Sequence, residues 1–186
     1  MNVRRGLDHA LDEYLVLLAQ NGSPEAFARL AERWTPKLLV FAARALGSTE
    51  AAKDVVQDTW ESALRGVARL DDPARFRAWL YAIAARKCTD TLRRKYRDAR
   101  IAQSAEAMVQ APANSEGVSN DRLDVADALK RLPPEQRIAA SLFFGDDMSV
   151  ADIATITGVP EGTVKSRLFA ARKALRDVFG EDHVKS

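Results

Sequence analysis

Cysteine and histidine are nearly missing from this chain: Cys88 is its only cysteine, and His9 and His183 are its only histidines. A single cysteine excludes an internal disulfide, and one thiol with two distant imidazoles makes no zinc-ligand spacing. The same shortage removes the clusters on which nucleophilic and general-base catalysis depend, and no glycine-rich phosphate loop is present. No catalytic residue, metal or cofactor is therefore assigned, and the chain is expected not to be an enzyme. Charged residues recur every few positions near the N-terminus, leaving no apolar run long enough for a signal peptide or a membrane span. A cytoplasmic protein is expected. Aromatic residues are also few, at 7%, while hydrophobic residues make up 47%, a balance that suits packed helices rather than disorder.

What is present is helical punctuation. Ser149-Val150-Ala151-Asp152 has the form of a capping box, in which the hydroxyl and the carboxylate satisfy the free amides of a first helical turn. A short helix to about Thr157 follows, Gly158 ends it, and Val159 to Gly162 connects it to a second helix opening near Thr163. That second helix places Val164, Leu168, Ala171 and Leu175 on one face, with Lys165, Ser166, Arg167, Phe169, Arg172, Lys173 and Arg176 around the rest. Five basic residues against one acid between Glu161 and Arg176 depart from the mixed signs of an ordinary solvated face. A helix-turn-helix docked on nucleic acid is the reading that follows. Net charge is only +2, so any such footprint must arise from local segregation of charge.

Elsewhere helical periodicity dominates and no alternating strand pattern appears. Leu7, Leu11, Tyr14, Leu15 and Leu18 mark a first helix, closed by Asn21-Gly22. Ser23-Pro24 starts a second, whose stripe of Phe27, Leu30, Ala31, Trp34, Leu38, Phe41 and Ala45 ends at Gly47. A third spans about Thr49 to Val67 and a fourth about Pro73 to Arg97. These four define a first lobe, residues 1–99. Residues 100–120 lose the periodicity and read as a linker that spans at most ~70 Å when extended. A second lobe, 121–186, holds a helix over about Asp121 to Leu132, another over about Glu135 to Phe144, and the helix-turn-helix. Each lobe is expected to have its own small core, so that the two are free to change relative position.

Two further segments bear on function. From Arg86 to Arg100, seven basic residues (Arg86, Lys87, Arg93, Arg94, Lys95, Arg97 and Arg100) stand against Asp90 and Asp98, a patch suited to tracking phosphates. Just before it lie Phe76, Trp79 and Tyr81 among Arg75 and Arg77, the aromatic and arginine mixture that stacks unpaired bases, although Phe76 and Trp79 also sit at core spacing. The third helix instead carries Asp54, Gln57, Asp58 and Glu61 on one side and Ala52, Val56, Thr59 and Ala63 on the other. Such an acidic strip is commonly a solvated face. It repels DNA, so any partner it has is a protein surface.

These residues resemble the extracytoplasmic-function (ECF, or group 4) sigma factors of bacterial RNA polymerase. Ala52-Lys53-Asp54-Val55-Val56-Gln57-Asp58-Thr59-Trp60 is similar to the family's A-E-D-V-V-Q-E-T-F segment. Trp79-Leu80-Tyr81-Ala82-Ile83-Ala84, followed by Asp90 and Leu92-Arg93-Arg94, is similar to W-L-x-x-I-A … D-x-x-R-R. Leu132-Pro133-Pro134-Glu135-Gln136-Arg137 and Gly162-Thr163-Val164-Lys165-Ser166-Arg167-Leu168 fit the two motifs of the second lobe. The resemblance implies an all-α protein of two small helical domains, regions 2 and 4, that joins core RNA polymerase and directs it to promoters. It places Asp54, Gln57, Asp58 and Glu61 against the polymerase. Arg75, Trp79, Tyr81, Arg86, Lys87, Arg93, Arg94 and Arg97 fall at the melted −10 element of promoter DNA. Thr163, Lys165, Ser166, Arg167, Phe169 and Arg172 fall in the major groove of the −35 element, with Lys165, Ser166 and Phe169 reading bases and Arg167 and Arg172 on phosphates.

An anti-sigma factor, often membrane-anchored in this family, is the further partner implied, held across both lobes against Val56, Trp60 and Leu64. Three positions depart from the family pattern. Lys53 replaces an acid, Arg86 stands where many members have Asn, and Ala170 stands where others have Arg. Two other readings remain open at this level. One is a conventional helix-turn-helix regulator, for which no oligomerisation helix or ligand pocket stands out. The other is a decoy that sequesters an anti-sigma factor, which has no need of the basic segments.

Overall fold

The computed structural model describes residues 2–106 and 129–179. Its helices are α1 Asn2–Gln20, α2 Pro24–Leu46, α3 Thr49–Gly66, α4 Phe76–Glu106, α5 Pro134–Gly145, α6 Val150–Thr157 and α7 Glu161–Phe179. Two 3-10 turns, Val67–Arg69 and Pro73–Arg75, carry the chain from α3 to α4. Among the described residues there is no strand, and the class is all-α. No helix among them is long and apolar enough to cross a membrane. The helix expected over residues 121–132 lies almost wholly outside the described residues.

Local chemistry sets the helix ends. Ser23 accepts the Ala26 N–H at 3.2 Å, Pro24 opens α2, and Gly47, at φ 64°, closes it in the left-handed region that glycine enters without steric cost. Pro36 lies inside α2 and does not end it, because Trp34 and Leu38 on either side are both buried and hold the helix in place. α4 continues through Glu106, past the lobe boundary expected at residue 99 and into the stretch read as linker. Ala102, Gln103, Ala105 and Glu106 are strong helix formers, and propensity of that kind needs no apolar stripe.

The inward face of α1 differs from its apolar spacing. Leu7, Leu11 and Tyr14 are 67%, 40% and 58% exposed, whereas Leu15 and Val16 are buried. Asp12 turns inward instead, because Arg33 Nε donates to its Oδ1 at 2.9 Å and a paired acid is tolerated where a lone one is not.

The expectation of two independent cores is also corrected. One continuous cluster contains Leu30, Leu38, Phe41, Phe76, Leu80, Ala84, Cys88 and Leu92 of the first lobe together with Ile138, Leu142, Met148, Ile153, Ile156, Val164 and Leu168 of the second. α5 packs against both α2 and α4, and α6 packs against α4. The reason is one of size: a lobe of this length has too little interior to bury Ile153 and Ile156 of a two-turn helix by itself, so they are covered by α4. Among the described residues, a small second cluster, Leu129, Leu132, Ala140 and Ala171, is internal to the second lobe.

Candidate nucleic-acid interface and acidic strip

Ser48 caps α3 by accepting the Ala51 N–H at 3.3 Å. From there Ala52, Val55, Val56, Thr59 and Ala63 point into the core, the Thr59 hydroxyl being satisfied by the Val55 carbonyl at 2.7 Å. With that face fixed, Asp54, Gln57, Asp58 and Glu61 are all exposed along the opposite side. Lys53, whose sign is wrong for the strip, donates to Glu50 at 2.8 Å, which holds its pKa above the ordinary lysine value. Val56 is not an accessible contact for an inhibitor: it is 4% exposed, because α3 turns it against α2. Trp60 is half-buried, its Nε1 donating to Thr35 Oγ1 at 2.9 Å and its ring edge-on to Phe27, while Leu64 is 61% exposed.

On α4, Arg86, Arg93, Arg94 and Arg97 are exposed, and Lys87 is half-buried with its Nζ 4.0 Å from an Asp58 oxygen. Arg75, in the preceding turn, is exposed beside Asp72. Trp79 is half-buried against Gly66, where an added Cβ would lie 3.0 Å from its ring. Tyr81 corrects the sequence reading. Its ring is 1% exposed, edge-on to Trp34 and Phe41, and its hydroxyl donates to Asp146 Oδ1 at 2.9 Å, so it offers no face to a base. Burial, reinforced by that carboxylate, pushes the phenol above its ordinary pKa.

The helix-turn-helix is built as its residues require. Both halves of the Ser149/Asp152 capping box form, at 3.1 Å each, and Gly158 at φ 66° closes α6. Burial of Val164, Leu168 and Ala171 then fixes the rotation of α7. Lys165, Ser166 and Phe169 project outward, Phe169 being 66% exposed. Arg172 is exposed and sits over the rings of Phe143 and Phe144, 5.6 and 5.7 Å from their centroids. Thr163 is half-buried.

Arg167, also half-buried, turns back toward the first lobe, where it shares a cleft of about 600 Å³ with Trp79, Arg86, Arg93, Glu135 and Gly158. At this junction Arg44, Tyr96 and Asp146 carried no sequence signal, and the bonds between the lobes carried none either. Arg93 Nη2 donates to Glu135 Oε1 at 2.7 Å, and Tyr96 Oη donates to the Leu132 carbonyl at 2.9 Å. Burial opposes ionisation of Glu135, but the Arg93 bond, a backbone hydrogen bond and the charges of Arg93 and Arg167 together outweigh it and hold the carboxyl below its usual range. Asp146 takes Tyr81 on one oxygen and Arg44 on the other, and its backbone carbonyl takes Arg77 at 3.1 Å. Burial nevertheless raises its pKa above the ordinary aspartate value. Gly145-Asp146-Asp147 reads as a turn, and nothing local marks it as a long-range junction.

Two helical lobes, one ending in a helix-turn-helix with a basic outer face and the other presenting an acidic strip beside a basic helix, define a transcription-initiation protein of the sigma type. Residues 30–98 match Sigma-70 region 2 and residues 122–175 match Sigma-70, region 4, and the chain belongs to the ECF RNA polymerase sigma factors of that family. It is 35% identical over 166 residues to ECF RNA polymerase sigma factor SigM of Mycobacterium tuberculosis, across 86% of this chain and 80% of that protein. To ECF RNA polymerase sigma factor SigW of Bacillus subtilis it is 28% identical over 169 residues, across 84% and 90% of the two chains. Among solved structures, CnrH in complex with the cytosolic domain of CnrY aligns with a TM-score of 0.66 at 29% identity, covering 92% of this chain and 99% of that one. The sigma factor RpoE of Bartonella quintana, in complex with the anti-sigma factor NepR, aligns with a TM-score of 0.64 at 28% identity, covering 84% and 98%.

Proposed function

We propose that this chain is an alternative sigma factor that binds core RNA polymerase through the α3 strip, selects promoters through α4 and α7, and is controlled by an anti-sigma factor. The observation that carries the reading is the segregation of charge on one small fold. Asp54, Gln57, Asp58 and Glu61 form an exposed acidic face on α3, whereas basic residues crowd α4 and α7. An acidic face next to a phosphate-binding one is self-defeating for a protein whose sole partner is DNA, and suits one that bridges DNA to a second protein.

Within this reading, Lys165, Ser166 and Phe169 take the base edges of the −35 element, and Arg172 takes phosphate while its guanidinium is held over Phe143 and Phe144. On α4, Trp79 is the aromatic left for an unpaired base of the −10 element, with Arg86, Lys87, Arg93, Arg94 and Arg97 of the same helix and Arg75 of the preceding turn supplying positive charge. Trp60 and Leu64 offer an apolar patch beside the polymerase strip. An amphipathic inhibitor helix docked there competes with polymerase directly. The alignment with a sigma factor in complex with an anti-sigma factor supports a partner of that kind. The test is competition: the chain is expected to co-elute with purified core polymerase, and its cognate inhibitor to displace it. A stable complex of all three would remove the occlusion part of the proposal, and failure to co-elute with core would remove its first part.

A further inference from the structure

We propose that Arg44 and Asp146 form an intramolecular latch that holds the second lobe against the Trp79 face of α4, and that Gly145 is the gap through which the latch closes. Arg44, in the last turn of α2, sends Nη1 to the Ser141 carbonyl at 3.0 Å and to Asp146 Oδ2 at 3.3 Å. Tyr81 and Arg77 of α4 reach the same residue, at 2.9 and 3.1 Å. Three side chains from two helices of the first lobe thus converge on one residue of the second. The Asp146 side chain is only 11% exposed, so the Arg44 and Tyr81 bonds to its carboxylate form where water competes poorly.

Gly145 lies under the Arg44 side chain. A Cβ there would fall 1.2 Å from Nη1 and 2.0 Å from Cζ. Its backbone gives glycine no other purpose: it ends α5 without the positive φ seen at Gly22, Gly47 and Gly158. Glycine is a poor helix residue, and at this position it is explained by the room the guanidinium needs.

The closed junction half-buries Trp79 and leaves Arg86, Arg93, Arg94 and Arg97 exposed. Trp79, Arg86 and Arg93 of α4 face Arg167 of α7 across the inter-lobe cleft, and Arg93 is already engaged by Glu135. At about 600 Å³ the cleft is the size of a small-molecule pocket, so a strand stacking a base on Trp79 gains room when the lobes part. Asp54, Gln57, Asp58 and Glu61 stay exposed throughout. The latch therefore leaves the polymerase strip and the exposed arginines of α4 open while holding Trp79 at the cleft, and stacking of an unpaired base on Trp79 scales with the fraction of molecules that are open. This consequence rests on the DNA-binding role proposed above. The latch itself does not.

Gly145→Ala tests it, since the substitution removes no hydrogen-bonding group, favours helix, and needs only the flexible end of Arg44 to move away. Asp146→Asn is the second variant. Cys88, fully buried on α4 within the core common to both lobes, reports opening through its labelling rate with a thiol reagent in the full-length chain, well below the urea midpoint. Both variants are expected to label on the order of tenfold faster, the weight of one charge-assisted hydrogen bond, and to bind single-stranded −10 DNA tighter by a similar factor without polymerase. Unchanged labelling in Gly145→Ala overturns the latch, and faster labelling with unchanged DNA affinity overturns its gating of DNA. If wild-type chain on core polymerase binds no promoter either, the failure lies with the DNA-binding role, whatever the labelling rate.

Discussion

Lys87 Nζ lies 4.0 Å from the Asp58 carboxylate, so the basic helix α4 touches the acidic strip of α3 within one lobe. The two surfaces carry opposite charge yet meet at this pair. Lys87→Ala is expected to weaken binding to −10 DNA and lower its salt dependence, while leaving affinity for core polymerase unchanged or slightly raised because Asp58 is freed. A salt titration of both equilibria checks it.

The strip itself is tested by Asp54→Ala and Gln57→Ala. Each side chain is exposed and no part of the core depends on it, so the fold is expected to survive. Loss of affinity for core polymerase of ~1–3 kcal/mol is expected for groups at the centre of an interface. Binding titrations, with circular dichroism as the control for folding, give the answer.

On α7, Lys165→Ala is expected to alter base preference at the −35 element, and Arg172→Ala to weaken all sequences about equally. Arg172 also packs over Phe143 and Phe144, so its loss is expected to lower the melting temperature slightly as well. A selection on randomised duplexes separates the two effects.

Ser149→Ala removes one half of the capping box and is expected to destabilise α6 by ~0.5–2 kcal/mol. Because α6 positions α7 and is remote from the α3 strip, duplex binding should fall while core affinity holds. Thermal melts and the two binding assays run on the same protein decide it.

Glu135→Gln tests a pH dependence. The Glu135 carboxyl titrates below its usual range in the folded chain, so its contribution is present above the unfolded value and lost as pH falls through the folded one. Wild type should exceed the variant in stability at neutral pH by ~0.2–1 kcal/mol, as expected for a pair so open to solvent, and the difference should vanish in acid. Asp146, whose value is raised by burial, carries the opposite sign: its contribution is full below the ordinary aspartate range and lost as pH rises through the raised value.

Much of this was legible in the residues because it is local. A serine before a helix, a glycine after it, and an acid three residues into α6 fix both ends of α2 and α6 and the start of α3 through bonds a few residues long. The buried sides of α3 and α7 follow from periodicity alone. What was missed is non-local. Asp12 is buried because Arg33, on another helix, reaches it, and Tyr81 is a core residue because Asp146, 65 residues away, accepts its hydroxyl. The shared core escaped notice for the same reason: apolar residues on α6 signal that they are buried, but not by which lobe.

Run-off transcription from a promoter library, with purified core RNA polymerase and this chain, tests the central claim most directly. The account predicts discrete transcripts that depend on the chain, that share a −35 and a −10 sequence at fixed spacing, and that are lost with Asp54→Ala/Gln57→Ala. Transcripts that appear equally without the chain, or a chain that binds core polymerase and starts none, would contradict it.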